Sequence, residues 1–234
     1  MENLTTYIHK FTVNALQECS YLVWDRTGEA VLIDPGMESE AEKQAVCDFI
    51  ARNSLKPKAI LLTHAHLDHI FGVNFLSGHY HIPVWMNPKE QTSIERVNPA
   101  FAGMVAALPE PFNYEKATDG TTVQFGESLI RALSTPGQSA GGLCWWIEKD
   151  NILFSGDSLF AGSIGRTDFE GGSLEELQDS LRNTLMQLDG EIEVYPGHGP
   201  ATTIGRERMS NPFIYDDSDE RQLLSDAFLD AYDE

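Results

Sequence analysis

Thr63-His64-Ala65-His66-Leu67-Asp68-His69 gathers four histidine or aspartate side chains into six residues, and this run decides the reading of the chain. The alternation His, Ala, His along an extended segment points both imidazoles the same way. Asp68 and His69 then come from the following turn, and Ile70, Phe71 and Phe75 predict a helix starting there. Imidazole nitrogen and carboxylate oxygen are the donors that borderline divalent ions such as zinc prefer. One cluster of neighbours does not easily complete two coordination spheres, so distant partners are expected. Asp157, in Phe154-Ser155-Gly156-Asp157, and His198, in Tyr195-Pro196-Gly197-His198-Gly199-Pro200, are the candidates, each in a turn-rich segment at a predicted strand end. His9, His79 and His81 read instead as surface or packing residues.

Working outward, Ala59 to Leu62 predict a buried strand that runs straight into Thr63. Before it, residues 7–13, 20–24 and 29–33 are β-branched or aromatic runs. The second and third are joined by the turn composition Asp25 to Gly28, so they predict a hairpin. Asp34-Pro35-Gly36 closes the third strand, and residues 39–52 carry apolar groups at helical spacing. In the second half, residues 121–125, 129–133, 143–147, 152–154 and 191–195 predict strands. Ser173 and Glu176 predict a capping box opening a helix with Leu174, Leu177, Leu181, Leu185 and Leu188 on one face. Strands dominate and helices fall in two separated places. That order fits an α+β fold in which two sheets pack face to face between outer helices, a four-layer αββα sandwich. The unusual polar residues all follow predicted strands, and strand ends are rigid platforms on which such groups converge.

Composition limits the partners. The 234 residues carry 16 Lys plus Arg against 36 Asp plus Glu, a formal net charge of -20. Phosphate backbones repel such a surface, so no nucleic-acid partner is expected. Residues 216–234 alone hold eight acids and one base, and the tail from 214 to 234 reads as a separate acidic segment, helical by its spacing of Leu224, Phe228 and Ala231, that suits docking or dimer contact. Cys19, Cys47 and Cys144 form no C-x-x-C pair and read as small buried apolar residues in a reducing compartment. No signal peptide or membrane-length apolar run is visible, so a cytoplasmic protein without membrane contact is expected.

The motifs THAHLDH, TPG-x-S-x-G at 135–141, FSGDSLF at 154–160, GRTDF at 165–169, YPGHGP at 195–200 and ERMSNPF at 207–213 occur in an order that resembles the metallo-β-lactamase superfamily. The likeness is nearest to its glyoxalase II-like (hydroxyacylglutathione hydrolase-like) branch, in the short form without a C-terminal helical domain, and covers residues 7–213. The resemblance implies the αββα sandwich over 1–213 and one or two zinc ions, with iron or manganese as alternatives. His64, His66 and a third histidine would bind one ion, and Asp68, His69 and His198 the other, with Asp157 bridging. It implies hydrolysis of a small-molecule thioester by metal-activated water, with Asp68 as the catalytic residue that orients the nucleophile or accepts its proton. Asp34 and Thr63 would orient the ligands, and Arg166 would either hold its own loop through Asp168 or meet a substrate carboxylate.

The chain departs from the pattern at one ligand. Where the family has the third histidine of the first site, this sequence reads Thr135-Pro136-Gly137-Gln138. A neutral amide oxygen is a poorer zinc donor than imidazole, so the first site is expected to be weakened and activity reduced. Two alternatives stand beside the hydrolase. One is a metabolite-binding member with little or no catalysis. The other is a persulfide dioxygenase with one iron, whose ligand triad Gln138 leaves incomplete.

Overall fold

The computed structural model describes residues 6–95 and 110–214. The predicted acidic segment from 215 onward lies outside them. Strands β1 (Thr6–Val13), β2 (Glu18–Asp25) and β3 (Glu29–Ile33) form an antiparallel meander. Helix α1 (Glu40–Arg52) then crosses to β4 (Lys56–Leu61), which pairs parallel to β3. Short helices α2 (Leu67–Ile70) and α3 (Val73–Tyr80) lead to β5 (Val84–Met86). Helix α4 (Gln91–Glu95) and β6 (Glu115–Lys116) follow, and the first sheet runs in the order β1 to β6.

The second sheet is built from β7 (Thr122–Phe125), β8 (Ser128–Ser134), β9 (Leu143–Ile147) and β10 (Ile152–Gly156). A small hairpin, β11 (Leu159–Phe160) and β12 (Ser163–Ile164), precedes α5 (Leu174–Asn183). Then β13 (Glu193–Pro196), β14 (Thr202–Thr203) and α6 (Ile204–Ser210) complete the order β14-β13-β10-β9-β8-β7.

Strand alternation places the core. Tyr21, Val23, Val31, Ile33, Ala59 and Leu61 of the first sheet face Ile130, Ala132, Leu143, Trp145, Ile152 and Phe154 of the second, all buried. The intervening residues Leu22, Leu32 and Ile60 pack under α1 and α3, through Val46, Ile50, Val73 and Leu76. On the opposite side, Cys144, Leu153 and Val194 pack under α5 and α6, through Leu177, Leu181 and Ile204. Both sheets are therefore buried on both faces, and the fold is the four-layer αββα sandwich.

Three local readings needed adjustment. Ser39 and Glu42 form a full reciprocal capping box on α1, whereas at α5 only the Ser173 half forms, its side chain accepting from the Glu176 N–H. Leu174 is 51% exposed and does not share the buried face of Leu177 and Leu181. Helical side chains tilt toward the N-terminus, so that of the first residue projects past the end of the layer. The α-helix stops at Asn183, and Leu185–Gln187 continues as a single 3₁₀ turn. Cys19 and Cys144 are buried, Cys47 is partly buried, and all three are free thiols. Among the described residues, no helix is long and apolar enough to cross a membrane.

Away from the metal-type residues, Asp25 ties the two sheets. Its carboxylate accepts from the Thr27 N–H and hydroxyl and from the Glu127 N–H at the β7–β8 turn. Burial would raise its pKa, but these bonds, with one from Ser128, outweigh burial and depress it. Asp25→Ala is expected to cost about 1–3 kcal/mol at neutral pH, read from the urea midpoint. Because the folded value is depressed, that contribution is present above the ordinary carboxylate range and lost as pH falls through the depressed value. A parent–variant difference that stays constant down to about pH 2 would contradict this assignment.

Candidate metal centre

The chemistry-bearing residues sit at the C-terminal ends of β3, β4, β8, β10 and β13, where backbone bonds lace the two sheets together. The Leu143 N–H donates to the Thr63 carbonyl at 2.8 Å, and the Cys19 N–H to that of Gly197 at 2.7 Å. The indole Nε1 of Trp145 donates to the Leu62 carbonyl at 3.0 Å, and the Tyr21 hydroxyl to that of Pro196 at 2.6 Å. These bonds fix the strand ends from which the site residues project. Two glycines allow the close approach. A Cβ on Gly156, at φ +50, would lie 2.2 Å from Thr63 Oγ1, and one on Gly197 would lie 2.3 Å from Asp157 Oδ1.

Asp34 orders the first ligands. In a left-handed conformation at φ 46, it accepts from the Thr63 N–H at 2.7 Å and the Thr63 hydroxyl at 2.5 Å. It also pairs with His69 Nδ1 at 3.1 Å. The Thr63 hydroxyl, having donated its proton to Asp34, is left to accept from His64 Nδ1 at 2.9 Å. Both rings thus carry their proton on Nδ1 and turn the Nε2 lone pair inward. The Nε2 atoms of His64 and His69 and the Oδ1 of Asp157 are buried, with no hydrogen-bond partner among the described residues. Buried acceptors are rarely left so, and three converging ones mark a place for a cation.

Four donors form a tight set. His69 Nε2 lies 3.4 Å from Asp157 Oδ1 and 3.7 Å from Asp68 Oδ2, and His198 Nε2 lies 3.2 Å from Asp68 Oδ2 and 3.7 Å from Asp157 Oδ2. Ligand bonds of about 2.0–2.1 Å in a tetrahedron require donors roughly 3.3 Å apart, so Asp68, His69 and His198 suit a zinc-sized ion, with the Asp157 carboxylate beside them. The other half, His64, His66 and Asp157, is looser: His64 Nε2 is 4.0 Å from Asp157 Oδ2. There Gln138, 3% exposed, places its amide nitrogen 2.7 Å from His66 Nδ1.

Electrostatics divide the same two halves. Burial holds the His64 imidazole well below the usual histidine range, with repulsion from His69, His66 and His198 adding to it, and burial also lowers His66. At His69 burial opposes the charge, but Asp157 and Asp68 outweigh it and raise the pKa, and His198 is raised by the same balance. Burial pushes Asp68 up, yet His69 and His198 prevail and hold it down to about 2. The Asp68–His69–Asp157–His198 half attracts positive charge, and the His64–His66 half stays neutral.

Arg166 is exposed and forks Asp168 with Nε and Nη2, both at 2.7 Å, and its guanidinium stacks 3.8 Å over the Phe169 ring. Phe169 in turn meets the edge of His66, so Arg166 supports the wall of the site through two intermediaries. His9 stacks on Phe49, and His79 and His81 are exposed at the end of α3. Two further buried acids, Glu90 and Glu18, support the site. Glu90 accepts from the Ala65 N–H at 2.8 Å and the Gly141 N–H at 2.7 Å, clamping the histidine run to the Gln138 loop. Glu18, bonded to the Ser20 hydroxyl, lies 3.7 Å behind His69 Nδ1, and burial pushes its pKa well up. Glu18 had a signal: alternation puts it on the same face as Leu22, and an acid on a buried face is unusual. Glu90 had none, because its partners are backbone groups far along the chain.

A two-sheet sandwich with histidines and aspartates converging at one edge defines a class of metal-dependent hydrolases. The chain belongs to the metallo-beta-lactamase superfamily, whose signature matches residues 13–198. It is 35% identical over 209 residues to hydroxyacylglutathione hydrolase GloC of Haemophilus influenzae, covering 86% of this chain and 95% of that protein. Among solved structures it is similar to TTHA1623 in a di-iron-bound form, with a TM-score of 0.77 and 38% identity over 88% of this chain and 99% of the other. It is also similar to ETHE1 from Myxococcus xanthus, with a TM-score of 0.71 and 27% identity over 88% and 83% of the two chains. Membership of this superfamily supports a hydrolytic activity that depends on metal.

Proposed function

We propose that this protein is a metal-dependent thioesterase acting on an S-acylglutathione or a related thioester. The observation that carries the reading is the compact set of Asp68, His69, Asp157 and His198, with donor separations of 3.2 to 3.7 Å around inward-facing lone pairs. These four residues would hold one ion, and His64 and His66 with Asp157 would begin a second site. We read the ion as zinc from the mixed nitrogen and oxygen donors, with iron or manganese as the alternatives. When bound, such an ion lowers the pKa of a water toward neutrality and polarises a carbonyl.

The chain's own residues do the rest. Asp34 fixes the ring orientation of His69 directly and of His64 through Thr63. Asp68, kept ionised and held by His198, stands ready to orient a nucleophile or take its proton. His66, Asp157 and His198 are the partly exposed members and form the mouth of the site. The rings of Phe169 beside His66 and Phe160 beside His198 give that mouth apolar walls suited to an acyl chain. The likeness to GloC supports glutathione as the thiol.

The test is steady-state hydrolysis of an S-acylglutathione with zinc, manganese or ferrous iron added. Metal-dependent turnover that a chelator removes, and that rises in Gln138→His, is expected. If neither metal-loaded protein hydrolyses any thioester, the non-catalytic metabolite-binding reading becomes the better account.

A further inference from the structure

The two halves of the centre differ in one respect that their ligand types alone do not reveal. His64 Nε2, His69 Nε2 and Asp157 Oδ1 have no partner among the described residues, and His198 Nε2 meets Asp68, itself one of the four donors, at 3.2 Å, whereas His66 Nδ1 is engaged at 2.7 Å by the neutral amide of Gln138. The direction of that bond does not change the outcome. If the amide N–H donates, it occupies the Nδ1 lone pair, and if the amide oxygen faces the ring, Nδ1 must carry a proton to donate. Either way Nδ1, the His66 nitrogen turned toward the position of the missing third ligand, offers no lone pair to a metal ion while that bond lasts.

Nor is the glutamine free to swing aside. It is buried, and its Cγ lies 2.6 Å from where a Cβ on Gly165 would stand, so the Gly165 backbone packs against its stem. Behind it, Glu90 holds the Gly141 and Ala65 amides together, which fixes the loop carrying Gln138 against the loop carrying His66.

We infer that Gln138 is a built-in cap on His66, which closes the first half of the centre and leaves the protein with one tightly held ion, on Asp68, His69, Asp157 and His198. This goes beyond the loss of a ligand. A missing ligand weakens a site passively, whereas a cap competes with the metal for a ligand that is still present. The inference rests on the reading of the cluster as a metal centre.

The test is metal content by elemental analysis after loading with zinc alone and gel filtration, together with calorimetric titration by zinc. The full chain is expected to retain one equivalent and Gln138→His two. In Gln138→Ala, which removes the cap without supplying a ligand, the second equivalent is expected to bind about 10-fold tighter or more than in the parent, the scale on which partners of ligands act. His198→Ala is expected to lose the single ion and His64→Ala to keep it. Two tightly held equivalents in the parent, a second site in Gln138→Ala no tighter than the parent's, or the reverse pattern of ion loss would overturn the cap. If neither the parent nor Gln138→His retains any zinc, the metal-centre reading itself fails.

Discussion

Replacing Asp157 by alanine is expected to abolish tight metal retention and to lower thioester hydrolysis by about 10³-fold or more, beyond the 10–100-fold typical of residues that only support a ligand. Its two oxygens face both halves of the centre: Oδ1 lies 3.4 Å from His69 Nε2, and Oδ2 lies 3.7 Å from His198 Nε2 and 4.0 Å from His64 Nε2. Asp157 is therefore the one carboxylate that either half needs. The stability signature separates this role from a structural one. Asp157 Oδ1 is buried without a hydrogen-bond partner among the described residues, so alanine removes a costly group from the chelator-treated protein. That form should melt within a few degrees of the parent, while the extra stability conferred by added zinc disappears. A variant that still carries a tightly held ion by elemental analysis would refute the bridging assignment.

Asp34→Ala is expected to act the opposite way, destabilising the protein with and without metal. It leaves the Thr63 N–H, the Thr63 hydroxyl and His69 Nδ1 without their buried acceptor. At about 1–3 kcal/mol for each buried donor left unpaired, and with partial relaxation, a loss of about 3–5 kcal/mol follows. Zinc affinity should fall about 10–100-fold as His64 and His69 lose their fixed tautomers. Asp34→Asn keeps a residue that tolerates the left-handed backbone but brings an NH₂ among donors, so its effect should be intermediate. Urea midpoints with and without chelator provide the measurement. A midpoint for Asp34→Ala equal to the parent's would remove Asp34 from this role.

Much of this architecture was legible because its signals are local. The run from Thr63 to His69, the Asp34-Pro35-Gly36 strand stop and the helical spacing of residues 39–52 each act within a few residues, and the structure places them within one or two positions of the expectation. The layering also showed, because strands dominate the order and helices fall in two separated places. What escaped depends on contacts distant in sequence. Strand β5 is three residues long and owes its place to pairing with β4 and β6. Glu207 is fully buried, accepting from the Gly162 N–H, the Thr202 hydroxyl and Asn211 Nδ2, and so explains why Glu207 and Asn211 stand together in the ERMSNPF stretch. Nothing in the spacing says that an acid there faces inward. Gln138 was legible as a departure from a pattern, but its bond to His66 could be seen only in three dimensions.

The centre draws its donors from both sheets, with His64 to His69 following β4 of the first and Asp157 and His198 following β10 and β13 of the second. An ion held there is a strut across the sandwich, bound by the folded chain and released when the layers part. Free metal at a thousandfold excess over its dissociation constant would add about 4 kcal/mol to folding, a large share of the roughly 5–15 kcal/mol that holds a domain together. The lifetime of the protein against proteases then follows the metal supply of its surroundings, and starvation for the ion would lower the amount of protein as well as its loading.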